Sequence, residues 1–195
     1  MNYYSFFSGI YRLAAKRMCQ DCKDFIKKGS KILDLGCGSG IVSNEFGKFF
    51  KADLLGIDIT DQRIEKIRFQ VFDGLKIPFP ENYFDLTLIN YVLHHTPDPV
   101  AILKEAKRIS KKIIIFEDLP EGFLAKLRCF FHQASYNLFF QKEKRKFNFK
   151  TKREWEMIFE EIGLKIVESK RVFVPFNLID PVYRILFVLE KGGGA

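Results

Sequence analysis

From Tyr3 onward the apolar positions fall at Tyr3, Phe7, Ile10, Ala14, Met18, Cys22 and Phe25. Intervals of three and four trace one face of an α-helix. The spacing predicts an N-terminal helix, divided at Gly9 and closed at Gly29-Ser30. Beyond it the pattern changes to short, almost continuous apolar runs at 31–35, 53–59, 69–72, 84–91 and 112–117. Such runs read as strands buried on both faces. Helical patterns separate them at 41–50 and 99–109, the latter with Asp98 as cap and Pro99 at the first helical position. Residues 61–67 leave room for about two helical turns. Strands alternating with helices predict a parallel α/β sheet with right-handed crossovers and helices on both faces.

After Asp118 this rhythm stops. Residues 120–147 carry Phe123, Leu124, Leu127, Phe130, Phe131, Ala134, Leu138 and Phe139 and read as one or two inserted helices. Thr151 and Glu154 have the spacing of a capping box, followed by an apolar helix face at Trp155, Ile158, Phe159 and Ile162. Closing strands are expected at 164–174 and 183–190. The expectation is a single domain over 1–195. It comprises a helical lid (1–28), a core (30–118), a helical aromatic insert (119–149) and a C-terminal helix with strands (150–191).

Composition narrows the class. The chain has 195 residues, 47% hydrophobic and 29% charged. That suits one domain with a sizeable core and excludes a disordered or collagen-like chain. Four cysteines do not make a disulfide framework, and Cys19-x-x-Cys22 lacks a second pair, so helix packing is expected there and no metal site. No run approaches the ~20 apolar residues of a membrane span. The N-terminal order of aromatic then basic residues is the reverse of a signal peptide, so a cytoplasmic location is expected. The net charge is +8. Residues 142–153 hold seven Lys/Arg against one Glu, a net of +6, with Phe147 and Phe149 interleaved. That segment suits RNA or an anionic membrane surface, or else is a solvated face; no DNA partner is expected. The 22 Phe have no assigned purpose at this level.

Chemistry concentrates at Asp34-Leu35-Gly36-Cys37-Gly38-Ser39-Gly40, at the end of the first strand. Closely spaced glycines let a backbone approach a ligand, and a helix begins there with unpaired N–H groups. Asp58, ending the next strand, holds the position that binds a ribose diol in nucleotide-binding α/β folds. The spacing is G-x-G-x-G rather than G-x-G-x-x-G. The acid beside it would repel a pyrophosphate and suits a cationic amino-acid head.

These residues resemble motif I of the class I S-adenosylmethionine-dependent methyltransferases, in the methyltransferase type 11 branch that includes quinone methyltransferases. The resemblance covers about 30–118 well and 150–190 more loosely. It implies a Rossmann-like seven-stranded, mostly parallel sheet with an antiparallel last strand. It implies S-adenosyl-L-methionine as cofactor and S-adenosyl-L-homocysteine as product. Cofactor contacts are implied at Asp34, Gly36, Cys37, Gly38, Gly40, Asp58, Ile59, Asp73, Gly74, Asn90 and Tyr91. The segment from Ile89 to His95 is similar to motif IV. Two departures are the short 61–67 segment and Ile109-Ser110-Lys111-Lys112 in place of a Lys-Pro-Gly-Gly turn.

Methyl transfer is an in-line displacement in which the protein orients the nucleophile and excludes water. His94 and His95, beyond the fourth strand, are candidates for a base, or else cap the turn or pack beside the cofactor. Tyr11, Glu117, Phe130 and Phe131 are candidate substrate contacts, Asp118 and Glu117 being equally able to cap a helix. Tyr3 and Tyr4 are candidates to close over the cofactor, and His132 reads as a solvent-facing or satisfied histidine. Three functions remain open: methylation of a small apolar or aromatic acceptor, RNA modification, and a non-catalytic cofactor-binding partner subunit. Oligomeric state is open as well.

Overall fold

The computed structural model describes residues 3–139, 147–173 and 183–192, the side chains at 3, 4 and 132–139 excepted. The expectations for Tyr3, Tyr4, His132 and the basic residues at 142–146 lie outside the described side chains. Two helices, α1 (Tyr3–Phe6) and α2 (Ser8–Cys22), lead into β1 (Lys31–Leu35), α3 (Ile41–Phe50), β2 (Asp53–Asp58), β3 (Arg68–Val71) and β4 (Phe84–Asn90). After a single 3₁₀ turn at Leu93–His95 come α4 (Pro99–Ile109), β5 (Ser110–Leu119), α5 (Phe123–Phe139), α6 (Lys152–Glu161), β6 (Leu164–Val172) and β7 (Tyr183–Lys191).

The seven strands form one sheet in the order β3-β2-β1-β4-β5-β7-β6. Pairings among the first five are parallel, whereas β7 runs antiparallel to both β5 and β6. This is the expected Rossmann-like architecture. In register, Leu35 of β1 faces Ile57 of β2 on one side and Ile89 of β4 on the other. The chain leaves β1 toward β2 and returns to the opposite side as β4. That reversal opens a crevice at the strands' carboxyl ends, the place where open α/β sheets bind ligands.

Period-two alternation divides the core between the two faces of the sheet. Leu33, Ile89, Ile115 and Phe187 pack under Leu103 and Ala106 of α4 and Trp155 and Phe159 of α6. Their neighbours Ile32, Leu88, Ile114 and Phe116 meet Met18 and Cys22 of α2 and Phe46 and Phe50 of α3. Each fully buried aliphatic or aromatic side chain stabilises by about 1.5–3 kcal/mol. The capping box predicted at Thr151 and Glu154 is present in both of its halves.

Three local readings are corrected, while the packing expected for Cys19 and Cys22 is observed. The break near the N-terminus falls at Phe7, and Gly9 lies inside α2. Cys19 and Cys22 are buried in the α2 core face, where burial pushes the Cys19 thiol up to about 12 and Cys22 further up. The fifth strand is longer than expected, because Glu117 and Asp118 still pair with β7 rather than start a helix. Residues 61–67 form no helix. Nine residues between β2 and β3 are too few for a helix and two turns, so side chains fix the crossover instead. The Ile64 N–H donates to the Ser39 carbonyl, Asn44 Nδ2 donates to Glu65, and Arg12 of α2 pairs with Glu65. Ile67 fills the missing helix's place: a Cβ on Gly56 of β2 would lie 2.9 Å from its Cδ1.

Candidate active site

The glycine loop joins β1 to α3. Gly36, Gly38 and Gly40 have φ of 74°, 47° and 76°, a left-handed region costly for any residue with a Cβ. Gly36 and Cys37 both donate their N–H to the Ile57 carbonyl, which ties the loop to the end of β2. A Cβ on Gly36 would lie only 2.5 Å from Val92 Cγ2. The space expected to admit a ligand at Gly36 is therefore occupied by Val92, and the requirement for glycine there is packing. Cys37 is buried, and its thiol is pushed upward first by burial and then by Asp34 and Asp58.

Two acids meet this loop, Asp34 at its start and Asp58 on Gly38, and a third, Asp73, lies in the turn after β3. Asp34 is 1% exposed; Ser43 Oγ donates to its Oδ2, and the Asn90 carboxamide donates more weakly to Oδ1 at 3.5 Å. Burial pushes the Asp34 carboxyl up to about 7, the Asp58 charge adds to the rise, and the bonds from Ser43 and Asn90 oppose it. Asp58 accepts the Gly38 N–H at 2.9 Å and the Ile59 N–H at 2.7 Å, one on each oxygen. A carboxylate has about four lone-pair sites, so capacity for two more donors remains. Asp73 accepts from the N–H groups of Leu75 and Lys76, which hold its carboxyl below the usual range. Ile59, next to Asp58, and Leu75, two residues past Asp73, are both exposed, and Gly74 lies close against Ile59. Leu75 was not singled out in the sequence, since a lone apolar residue in a turn carries no period.

The end of β4 forms the other wall. Tyr91 adopts φ 56°, unusual for a residue with a Cβ, and its side chain turns into the core cluster of α2 and α3. Its phenol is buried, which raises its pKa. Asn90 lies on the acid side, where its buried Oδ1 has no hydrogen-bond partner among the described residues.

Glu117 was expected to contact substrate or cap a helix; it lies within β5 and caps no helix. It is fully buried, accepting the Leu93 N–H at 2.8 Å on one oxygen and facing His94 Nδ1 at 2.6 Å with the other. Burial alone lowers the His94 pKa, but the charge and hydrogen bond of Glu117, with Asp118 behind, outweigh it and leave the imidazole raised. Asp118 pairs with Arg184 across β5 and β7. Phe149 stacks on His94 at 4.6 Å and Phe147 meets His95 edge-on at 4.3 Å. Asn148 between them donates its N–H to the His94 carbonyl and its Nδ2 to the Thr96 carbonyl. The two aromatics that suggested base stacking in the sequence are thus engaged with the histidine turn. His95 is the less buried of the two histidines.

Tyr11 is half-buried on α2, whose last two turns are core rather than lid. Phe130 and Phe131 stand on an exposed side of α5, opposite Ala125 and Cys129. An open groove of about 320 Å³ lined by Lys16, Glu45 and Phe49 lies between α2 and α3, away from the three acids.

A family model for the methyltransferase domain matches residues 8–169. The chain belongs to that family. The domain is 25% identical over 181 residues to a demethylmenaquinone methyltransferase of Staphylococcus aureus, covering 78% of this chain and 74% of that protein. It is 32% identical over 104 residues to a sterol 24-C-methyltransferase of Gibberella zeae, covering 47% of this chain and 27% of that one. Against relatives matched at 31–33% identity, this methyltransferase domain spans only 26–38% of their length. A Haloferax volcanii putative methyltransferase, solved with a methyltransferase activator, superposes with a TM-score of 0.75 at 14% identity, covering 96% of this chain and 93% of that one. The fold is that of the S-adenosylmethionine-dependent methyltransferases.

The residues present fit that cofactor. Asp34 and Asp58 stand against the loop, which disfavours a phosphate and suits an ammonium and a ribose diol. The unpartnered Asn90 Oδ1 is a further acceptor on the same side.

Proposed function

We propose that this methyltransferase domain transfers a methyl group from S-adenosylmethionine to a small apolar or aromatic acceptor held between the glycine loop and the His94–His95 turn. The observation that carries the reading is the placement of Asp34 and Asp58 against one left-handed glycine loop at the switch point of the sheet. In this assignment Asp34 and Asn90 hold the amino-acid head, Asp58 the ribose hydroxyls, and Asp73 the adenine amine above Ile59 and Leu75. Gly38 and Gly40 keep the backbone out of the way, while Gly36, Cys37, Gly74 and Tyr91 shape the walls. The cofactor supplies an activated sulfonium methyl; the chain's residues position the acceptor and exclude water.

The two histidines divide the work. A general base must come within hydrogen-bond reach of the proton it removes, directly or through one water. His94 is sealed beneath Phe149 and paired with Glu117, so its role is to position the turn. His95 is the candidate to touch the acceptor. The small-molecule reading draws support from the sterol and demethylmenaquinone methyltransferases among the relatives.

The first test is calorimetric titration with S-adenosylmethionine and S-adenosylhomocysteine. Micromolar binding is expected, weakened by about tenfold to a hundredfold in Asp58→Ala. Unchanged affinity in that variant overturns the ribose assignment. Labelled methyl transfer into separated lipid, small-molecule, RNA and protein fractions then tests the acceptor class, and label confined to RNA would reject it.

A further inference from the structure

Three successive amides in the loop between β3 and β4 are all captured. Leu75 and Lys76 donate their N–H groups to Asp73 Oδ1 at 2.8 and 2.9 Å, and Ile77 donates its N–H to Glu105 Oε2 of α4 at 2.8 Å. Arg108, one turn further along α4, grips the same stretch by its carbonyls. It donates to the Ile77 carbonyl at 2.8 Å and to the Phe79 carbonyl at 2.6 Å. The guanidinium is itself held by Glu105, with Nε on one carboxylate oxygen and Nη2 on the other at 2.8 Å each. Glu105 therefore binds both the loop and the group that binds the loop. The bond from Arg108 holds the Glu105 carboxyl below its usual range against the effect of burial, and the Ile77 amide adds to it. Both side chains are largely shielded, 19% and 25% exposed, so water competes little for these bonds.

The composition of the loop explains why a helix must hold it. Residues 72–83 have no regular secondary structure. Pro78 and Pro80 lack an N–H, so the stretch cannot extend a strand ladder through them. Ile77 is fully buried in one core cluster with Leu103 and Ala106 of α4. A single apolar anchor still leaves a loop free to swivel about it. Bonds to both main-chain groups of Ile77 remove that freedom, and a planar fork of N–H donors fixes a direction as well as a distance. The fixed point lies directly after Leu75 and Lys76, the two residues whose amides hold Asp73 by one oxygen. The Asp73 carboxylate retains capacity for further donors.

We propose that Glu105 and Arg108 are positioning residues for Asp73: they set where its carboxylate stands, and so how strongly the domain selects a cofactor by the exocyclic amine of its base. The inference rests on the assignment of Asp73 to the adenine amine. Neither α4 side chain touches the cofactor; each acts through the loop.

The test compares, by calorimetry well below the melting temperature, the binding of S-adenosylhomocysteine and of its 6-desamino analogue, in which purine replaces adenine. Wild type should prefer the amine-bearing ligand by about tenfold or more, as one charge-assisted hydrogen bond would give. Asp73→Ala should abolish the preference. Arg108→Lys keeps the charge but loses the fork, and the preference should fall below about threefold. The fall should come from weaker binding of S-adenosylhomocysteine, with binding of the analogue unchanged. Adding Arg108→Lys to Asp73→Ala should change neither affinity further. Glu105→Ala removes the acceptor of the Ile77 N–H; it carries the same expectation and decides the matter if Arg108→Lys does not fold. A variant that weakens both ligands alike, or keeps the wild-type preference, overturns the positioning role while the adenine assignment stands. A preference that survives Asp73→Ala, or is absent from wild type, removes the adenine assignment and the proposal with it.

Discussion

Glu117 Oε2 lies 2.6 Å from His94 Nδ1, with both side chains 1% exposed, and the pair joins the carboxyl end of β5 to the turn that follows β4. The second Glu117 oxygen holds the Leu93 N–H, so a single carboxylate fixes two successive residues of that turn. Phe149 and Asn148 close over it from the other side. The turn that carries His95 is therefore rigid before any acceptor arrives.

Removing one member of a buried pair leaves a charge without compensation. Glu117→Ala is expected to destabilise by about 3 kcal/mol, and Glu117→Gln by less, since the amide oxygen still accepts the Leu93 N–H. His94 has its pKa raised in the folded state. The stability it gains from Glu117 is fully present below the unfolded histidine value of about 6.5 and is lost as pH rises through the folded value. Urea unfolding of wild type and Glu117→Gln from pH 6 upward should show the gap narrowing. A gap that widens with pH contradicts the sign.

Gly36→Ala tests whether the glycine loop is shaped by its own packing. The new Cβ would sit in the left-handed region and meet Val92 Cγ2 at 2.5 Å. A loss of about 1–3 kcal/mol is expected from the backbone conformation, with the clash in addition. Val92→Ala in the same chain should restore the clash component and leave the backbone cost. Thermal unfolding of the two single variants and the double variant separates these contributions.

What the sequence revealed and what it concealed differ in kind. The parallel order, the glycine loop, Asp58 and the capping box at Thr151 are local: a few adjacent residues of the right type define each one. The 61–67 segment was read as about two helical turns, whereas the bonds that tie it to the rest of the chain go to Ser39, Asn44 and Arg12, far away in sequence. Glu117 looked like an acid at a strand end because its partner lies 23 residues earlier, and nothing near Glu117 marks the pairing. Phe147 and Phe149 looked free for stacking on a base. Their alternation around Asn148 is instead the pattern of an extended segment clasping a turn, which becomes visible only when His94 and His95 are beside it.

Arg12 is the strap across the helix-less crossover, pairing with Glu65 while Glu65 also holds Asn44. It is partly exposed, and such pairs contribute little to global stability, so Arg12→Ala should cost less than about 1 kcal/mol. The local effect should be larger. Hydrogen exchange at residues 63–67 is expected to accelerate while β1 and β4 stay protected. Unchanged exchange there would mean that Ile67 and the Ser39 carbonyl hold the crossover unaided.

Asp34 connects the proposed cofactor contact to a measurable titration. Its carboxyl is raised to about 7, so in the free domain at pH 6 it is mostly protonated. A cationic amino-acid head requires the carboxylate, so binding below pH 7 must release a proton. Affinity for S-adenosylmethionine is then expected to rise with pH, approaching a tenfold gain per unit well below 7 and levelling above it. Asp34→Asn should bind more weakly at pH 8 and show no such slope. Stability runs the opposite way. The folded carboxyl keeps its proton between the unfolded value of 3.8 and about 7, so the free domain loses stability as pH rises across that window, whereas Asp34→Asn does not. Calorimetric titrations from pH 5.5 to pH 8.5 in buffers of different ionisation heat count the proton released. A wild-type affinity that is flat over that range, with no proton released, would remove Asp34 from the binding site and leave it a structural partner of Ser43.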